Sequence, residues 1–164
     1  MIVVAIIGII GALVVPLATG NLTSPRLRTA ANVLASDIEF TLGECIDRPD
    51  DPRVIFFEPA VNRYTVNTVS GGSTINHPMD GQPFVNDFAT GRNAQLAGIN
   101  LDSVTMGNGT MALLTFDPYG KPIITQDLLI TLRYGQQRLL VTVNKRTGET
   151  TITDPGPTTA PAGN

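Results

Sequence analysis

The chain has 164 residues, enough for one modest core and too few for two ordinary domains once an apolar end is set apart. Charged residues make up 15% of it, against about a quarter in an average soluble protein, and none precedes Arg26, so the net charge of −3 belongs wholly to the later part. A mildly acidic domain has no general attraction for nucleic acid, and a single cysteine, Cys45, excludes an intramolecular disulfide framework.

Residues 1–17, MIVVAIIGIIGALVVPL, form an uninterrupted apolar run with Gly8 and Gly11 inside it and Pro16 near its end. As a helix rising about 1.5 Å per residue it would span about 25 Å, slightly less than the roughly 30 Å hydrocarbon core of a bilayer. Small residues at Gly8 and Gly11 let neighbouring apolar helices approach closely. An ordinary secretory signal is the competing reading. Leu17-Ala18-Thr19-Gly20 offers small residues for a cut, which would leave a secreted β-domain starting near Asn21. Against it, no Lys or Arg precedes the apolar run, and a helical pattern resumes directly beyond it.

Ser24 and Pro25 read as the cap and first turn of that second helical segment. Leu27, Ala31, Leu34, Ile38, Leu42 and Cys45 follow at spacings of three and four, laying one apolar stripe along a helix to about residue 46. Arg28, Ser36, Asp37, Glu39 and Glu44 lie largely off it. Pro16, Gly20 and Pro25 are the expected bends. The organisation predicted is an apolar transmembrane or bundling helix over 1–24, a globular domain over 25–153 and a disordered tail over 154–164. That tail, DPGPTTAPAGN, has no large apolar side chain to bury.

Beyond the turn-rich DRPDDP of residues 47–52, strands are predicted at 53–58 and 63–69, joined as a hairpin through Pro59-Ala60-Val61-Asn62. Residues 71–92 read as a long polar loop with Met79, Phe84, Val85 and Phe88 as scattered apolar anchors. Loops of this length are often binding elements, which makes Met79, Phe84 and Phe88 the expected subunit contacts. Strands at 99–104, 111–116, 128–134, 138–143 and 149–153 complete the pattern, with turns at 117–120 and 145–148. The fold class expected is α+β, with a long N-terminal helix packed on an antiparallel meander.

Chemistry is sparsely represented. His77 is the only histidine, so no site with two imidazoles exists, and neither a Ser-His-Asp nor a Cys-His pair has a clear context. Cys45, inside an apolar register, reads as a small buried hydrophobe. Asp80, Asn86 and Asp87 supply oxygens of the kind calcium takes, without the spacing of an EF-hand loop. No catalytic residue, metal or cofactor is expected. Arg138, Lys145 and Arg146 suggest a small basic patch for DNA, opposed by the negative domain and by Glu149 nearby, which favour a solvated hairpin tip.

The run from Val3 to Pro16 resembles the N-terminal segment of type IV pilins and type II secretion pseudopilins. Residues 26–38 (RLRTAANVLASDI), 114–120 (LTFDPYG) and 141–148 (VTVNKRTG) resemble the GspH/FimT branch of that family. The resemblance implies a pilin-like fold, no enzymatic activity, and a bundling helix carried by Val3, Val4, Ile6, Ile7, Gly8, Ile10, Gly11, Leu13, Val14 and Pro16. It implies other pilins or pseudopilins and the inner-membrane assembly machinery as partners, with processing by a prepilin peptidase and methylation. The location implied is a single pass in the bacterial inner membrane, with the domain in the periplasm until it joins a filament. The family's basic leader and its early assembly Glu are not in the sequence; aligned on Gly8 and Pro16, that Glu would fall just before Met1. A minor pseudopilin is the function implied, with a FimT-like DNA-binding minor pilin as the alternative.

Overall fold

The structure, a computed structural model, describes residues 24–155 apart from residue 89, and leaves the side chains of 91 and 92 undescribed. The apolar run and most of the tail predicted from sequence therefore lie outside the described residues.

Helix α1 spans Pro25–Asp47, with the proline at its first turn as its fixed φ favours. Ser24 does not cap it through its side chain; instead its backbone N–H donates to Gln137 Oε1 at 2.8 Å. Leu27, Ala31, Leu34, Ile38 and Cys45 are fully buried as the stripe predicts, and Leu42 packs half-buried beside them. The buried face is wider than the apolar pattern, because Ala30, Asp37 and Thr41 also lie inside it. Arg48 N–H closes the helix on Glu44 C=O at 3.0 Å, and Pro49 stops its continuation.

The strands are β1 (Arg53–Glu58), β2 (Arg63–Thr68), β3 (Val85–Asp87), β4 (Ile99–Met106), β5 (Gly109–Thr110), β6 (Leu113–Thr115), β7 (Leu128–Tyr134), β8 (Gln137–Val143) and β9 (Thr150–Thr153). They form two antiparallel sheets rather than the single meander expected. One has the order β3-β2-β1-β6 and the other β5-β4-β7-β8-β9. Helix α1 packs on strands of both. Leu128, Ile130 and Leu132 of β7 and Leu139, Val141 and Val143 of β8 are buried at every second position, so one face of the larger sheet meets the helix.

The segment 71–92 is the largest departure from expectation. It carries β3 and runs into a 3₁₀ turn at Gly91–Leu96, and it is pinned along β2 by bonds such as Ile75 N–H to Val66 C=O at 3.0 Å. Phe84 and Phe88 are 1% and 0% exposed, so they fill the core and are unavailable as subunit contacts; Met79, at 89% exposed, is the one predicted contact the fold leaves accessible. Burying two phenyl rings outweighs the polar composition around them.

The two sheets are joined at Asn62, in the turn after β1. It takes the left-handed conformation at φ 58°, which asparagine tolerates. Its side chain acts like a strand backbone, donating to Ile99 C=O at 2.7 Å and accepting from Leu101 N–H at 2.6 Å.

Candidate assembly surface

Three interactions fix the sheets to helix α1. At mid-helix, Asp37 is buried at 8% exposed and accepts the Tyr64 hydroxyl at 2.6 Å. Asn86 donates to the same Asp37 oxygen, and Asn93 donates in turn to Asn86 Oδ1. One carboxylate on the helix thus anchors β2, β3 and the turn beyond them. The sequence placed Asp37 off the stripe, yet it stands three residues after Leu34 and four before Thr41, on the buried face by spacing alone.

At the end of the helix, Arg53 is 4% exposed, and its Nη1 donates to Asp51 Oδ2 at 2.7 Å and to Asp51 C=O at 2.9 Å. Cys45 Sγ lies beside it, 3.2 Å from Arg53 N and 3.3 Å from Arg53 O. Burial pushes the Cys45 thiol up, against weaker lowering by those backbone bonds and by one from Phe116, so it stays a neutral thiol. Nearby, Asp51 is held below the usual carboxylate range, first by the Ser70 hydroxyl and then by Arg53.

The third interaction is a clasp of two turns. Gly120 and Gly148, both at positive φ, close against Leu42, and Gly120 also abuts Ile46. The segments 114–120 and 141–148, separate in sequence, meet here on the last turns of the helix.

Around these fixed points, among the described residues, the exposed large apolar side chains are Met79, Tyr119 at 91%, Ile123 at 62%, Val61, Val69, Ile46 and Leu113. Tyr119, inside the turn 117–120, and Ile123, just past it, went unmarked as contacts in the sequence, although a large apolar side chain in a Pro-Gly turn has little chance of burial and is itself a signal of contact.

The polar residues singled out from sequence do not assemble into a reactive site. His77 packs its ring edge on Phe84, with centroids 4.4 Å apart. Its Nδ1 accepts the Met79 N–H at 3.2 Å and lies 3.8 Å from Asp80 Oδ1. Asn86 points into the core, while the neighbouring Asp87 accepts from Thr90 at an exposed position, and Asp80 accepts Gln82 N–H in its own turn. The three do not converge as calcium ligands. Arg138 is the second residue of β8 while Lys145 and Arg146 lie past its far end, about 20 Å away at roughly 3.3 Å per residue, so no single patch contains all three. Lys145 Nζ reaches Thr125 C=O at 3.4 Å, beside an open cleft of about 630 Å³ lined by Gly107, Thr125, Gln126, Asp127 and Leu129.

One helix packed against two antiparallel sheets is the arrangement of a pilin-like fold. The solved structures bear this out. The chain is similar to the minor pseudopilin EpsH from the type 2 secretion system of Vibrio cholerae, at 15% identity and TM-score 0.54, covering 80% of this chain and 98% of that one. It is similar also to the type IV minor pilin FimU of Pseudomonas aeruginosa strain PAO1 in two crystal forms. One match has 13% identity, TM-score 0.53 and coverage of 80% and 93%; the other has 11%, 0.54, and 80% and 98%. No family model matches the sequence, and no curated protein matches it.

Proposed function

We propose that this chain is a minor pilin-like subunit of GspH/FimT type that assembles into a periplasmic pseudopilus or type IV pilus. The observation that carries the reading is the pilin-like fold, a helix packed on two antiparallel sheets, in a chain whose sequence places an apolar run ahead of that helix. The helix starts at Pro25, eight residues after Leu17, with only one face given to the domain. Among the described residues no helix is long and apolar enough to cross a membrane, so anchoring rests on residues 1–17. On this reading Val3 to Pro16 bundle with neighbouring subunits and hold the chain in the inner membrane before assembly. The inner-membrane assembly machinery is the partner it calls for, with a prepilin peptidase if a leader is present.

Contacts between heads would use Met79, Tyr119 and Ile123, whose apolar surface the fold leaves in water. Deleting residues 2–17 is expected to abolish incorporation into filaments sheared from cells while leaving a folded domain in the soluble fraction. Filaments that still contain the deleted chain at the full-length level would refute the proposal.

A further inference from the structure

Strand β9 closes one side of the larger sheet and has no strand beyond it. The direction of its backbone groups follows from the two hairpins that lead to it. The two-residue turn Gly135-Gln136 makes Tyr134 and Gln137 a bonded pair, so Leu139, Val141 and Val143 bond β7 and the residues between them turn their backbone to β9. The bond from Asn144 N–H to Glu149 C=O at 2.9 Å, where Gly148 takes positive φ, gives the same phase. Thr142 and Leu140 therefore bond Thr151 and Thr153, and the N–H and C=O groups of Thr150 and Ile152 point away from the sheet. Among the described residues nothing bonds those four groups.

The other sheet edges among the described residues are shorter or covered. β5 has two residues, β3 has three and ends on Asp87, and residues 122–123 run along β6, with Ile123 N–H on Thr115 C=O at 2.9 Å. Native edges are commonly guarded by charge, proline or a bulge, and β9, Thr-Thr-Ile-Thr, has no charge or proline within it. Its residues are all β-branched, which suits a strand with neighbours on both sides. Glu149 before it and Asp154-Pro155 after it limit the open stretch to four residues.

We infer that β9 accepts an extended, uncharged and β-branched segment of a different protein, which pairs antiparallel with it as a sixth strand of the larger sheet. The main chain supplies the bonds, because the open groups of Thr150 and Ile152 match a run of about four or five residues. Side chains opposite Thr150 and Ile152 share their face, on the side where the Thr150 hydroxyl donates to Glu39 Oε1 at 3.2 Å. Ala35 and Asn32 stand four and seven residues before Glu39, on the same flank of the helix. That flank favours small side chains and, beside Glu39, a hydroxyl or a cation. On the other face Thr151 and Thr153 stand beside Thr142 and Leu140, which suits an uncharged segment. A second copy is the wrong occupant: antiparallel pairing of two β9 strands turns their helices in opposite directions, whereas copies anchored through residues 1–17 in one membrane run the same way. That exclusion alone rests on the filament reading.

The test uses the full chain, isotope-labelled in detergent micelles, with the capped hexapeptide Thr-Val-Thr-Lys-Thr-Val as probe; a generic β-prone peptide suffices because recognition is through the main chain. Hydrogen exchange at the Thr150 and Ile152 amides is expected to slow about 10-fold at saturating peptide, while Thr151 and Thr153, already bonded to β8, change little. The same peptide N-methylated at every residue should not bind. Thr150→Pro, which deletes an outward N–H and no ladder bond, should weaken the plain peptide about 10-fold. Thr150→Val, which keeps the backbone and drops the hydroxyl, should weaken it far less. No slowing at Thr150 and Ile152, or equal binding of the N-methylated peptide, overturns the inference. If both amides slow without peptide as protein concentration rises, and sedimentation shows dimers, the occupant is a second copy and the inference is wrong. The assay needs no filament, so its failure is distinct from failure of the filament reading.

Discussion

Replacing Asp37 by alanine is expected to destabilise the domain by about 3 kcal/mol, lowering the midpoint of thermal unfolding by roughly 10 °C. The carboxylate accepts the Tyr64 hydroxyl and the Asn86 amide inside the core, and Asn86 in turn receives Asn93. Truncation removes the acceptor of two buried hydrogen bonds; Asn86 Nδ2 still has the Tyr64 hydroxyl oxygen at 2.6 Å, so the loss is that of the bonds to the carboxylate plus the desolvation of the donor capacity they used. Tyr64→Phe, which deletes one hydroxyl and keeps the ring between Phe57 and Phe88, should cost about 1–2 kcal/mol. Because the two groups share one bond, the double variant should lose less than the sum, with a coupling of at least about 0.5 kcal/mol. Additive losses measured by chemical denaturation would show that they do not act together.

Gly148→Ala should be nearly as damaging, at about 3 kcal/mol. Its φ of +74° is unfavourable for any Cβ, and an added Cβ would lie 2.8 Å from Leu42 Cδ1 and 2.9 Å from the Gly120 carbonyl oxygen. The Leu42 methyl ends a flexible side chain and can give way, but the Gly120 carbonyl is backbone, so the clash is relieved only by shifting that turn. Gly135→Ala separates strain from crowding: φ there is +59° and nothing lies within 4 Å of the added Cβ, so it should cost only about 1 kcal/mol. Equal losses at the two sites would remove the crowding argument and leave backbone strain as the whole effect.

The helix and the strand pairs were legible because their signals are local: three-and-four spacing from Leu27 to Cys45, and alternation in β7 and β8. What remained hidden was the role of buried polar residues. Asn86 interrupts the alternation of Phe84 and Phe88, so three inward positions at a spacing of two read as a polar loop. Asp37 and Thr41 widened the buried face of the helix under the same disguise. The division into two sheets was equally invisible, because it depends on β6 returning to pair with β1 across more than fifty residues. Arg138 and Lys145 looked like neighbours in sequence, and an extended strand holds them apart.

The central claim, that the chain is a filament subunit, is tested most directly by quantitative mass spectrometry of filaments sheared from cells expressing the full-length protein. Its peptides should co-purify with the filament at well below one copy per major subunit, and should disappear when filament assembly is blocked. Peptides confined to the membrane or soluble fractions, and absent from intact filaments, would contradict it.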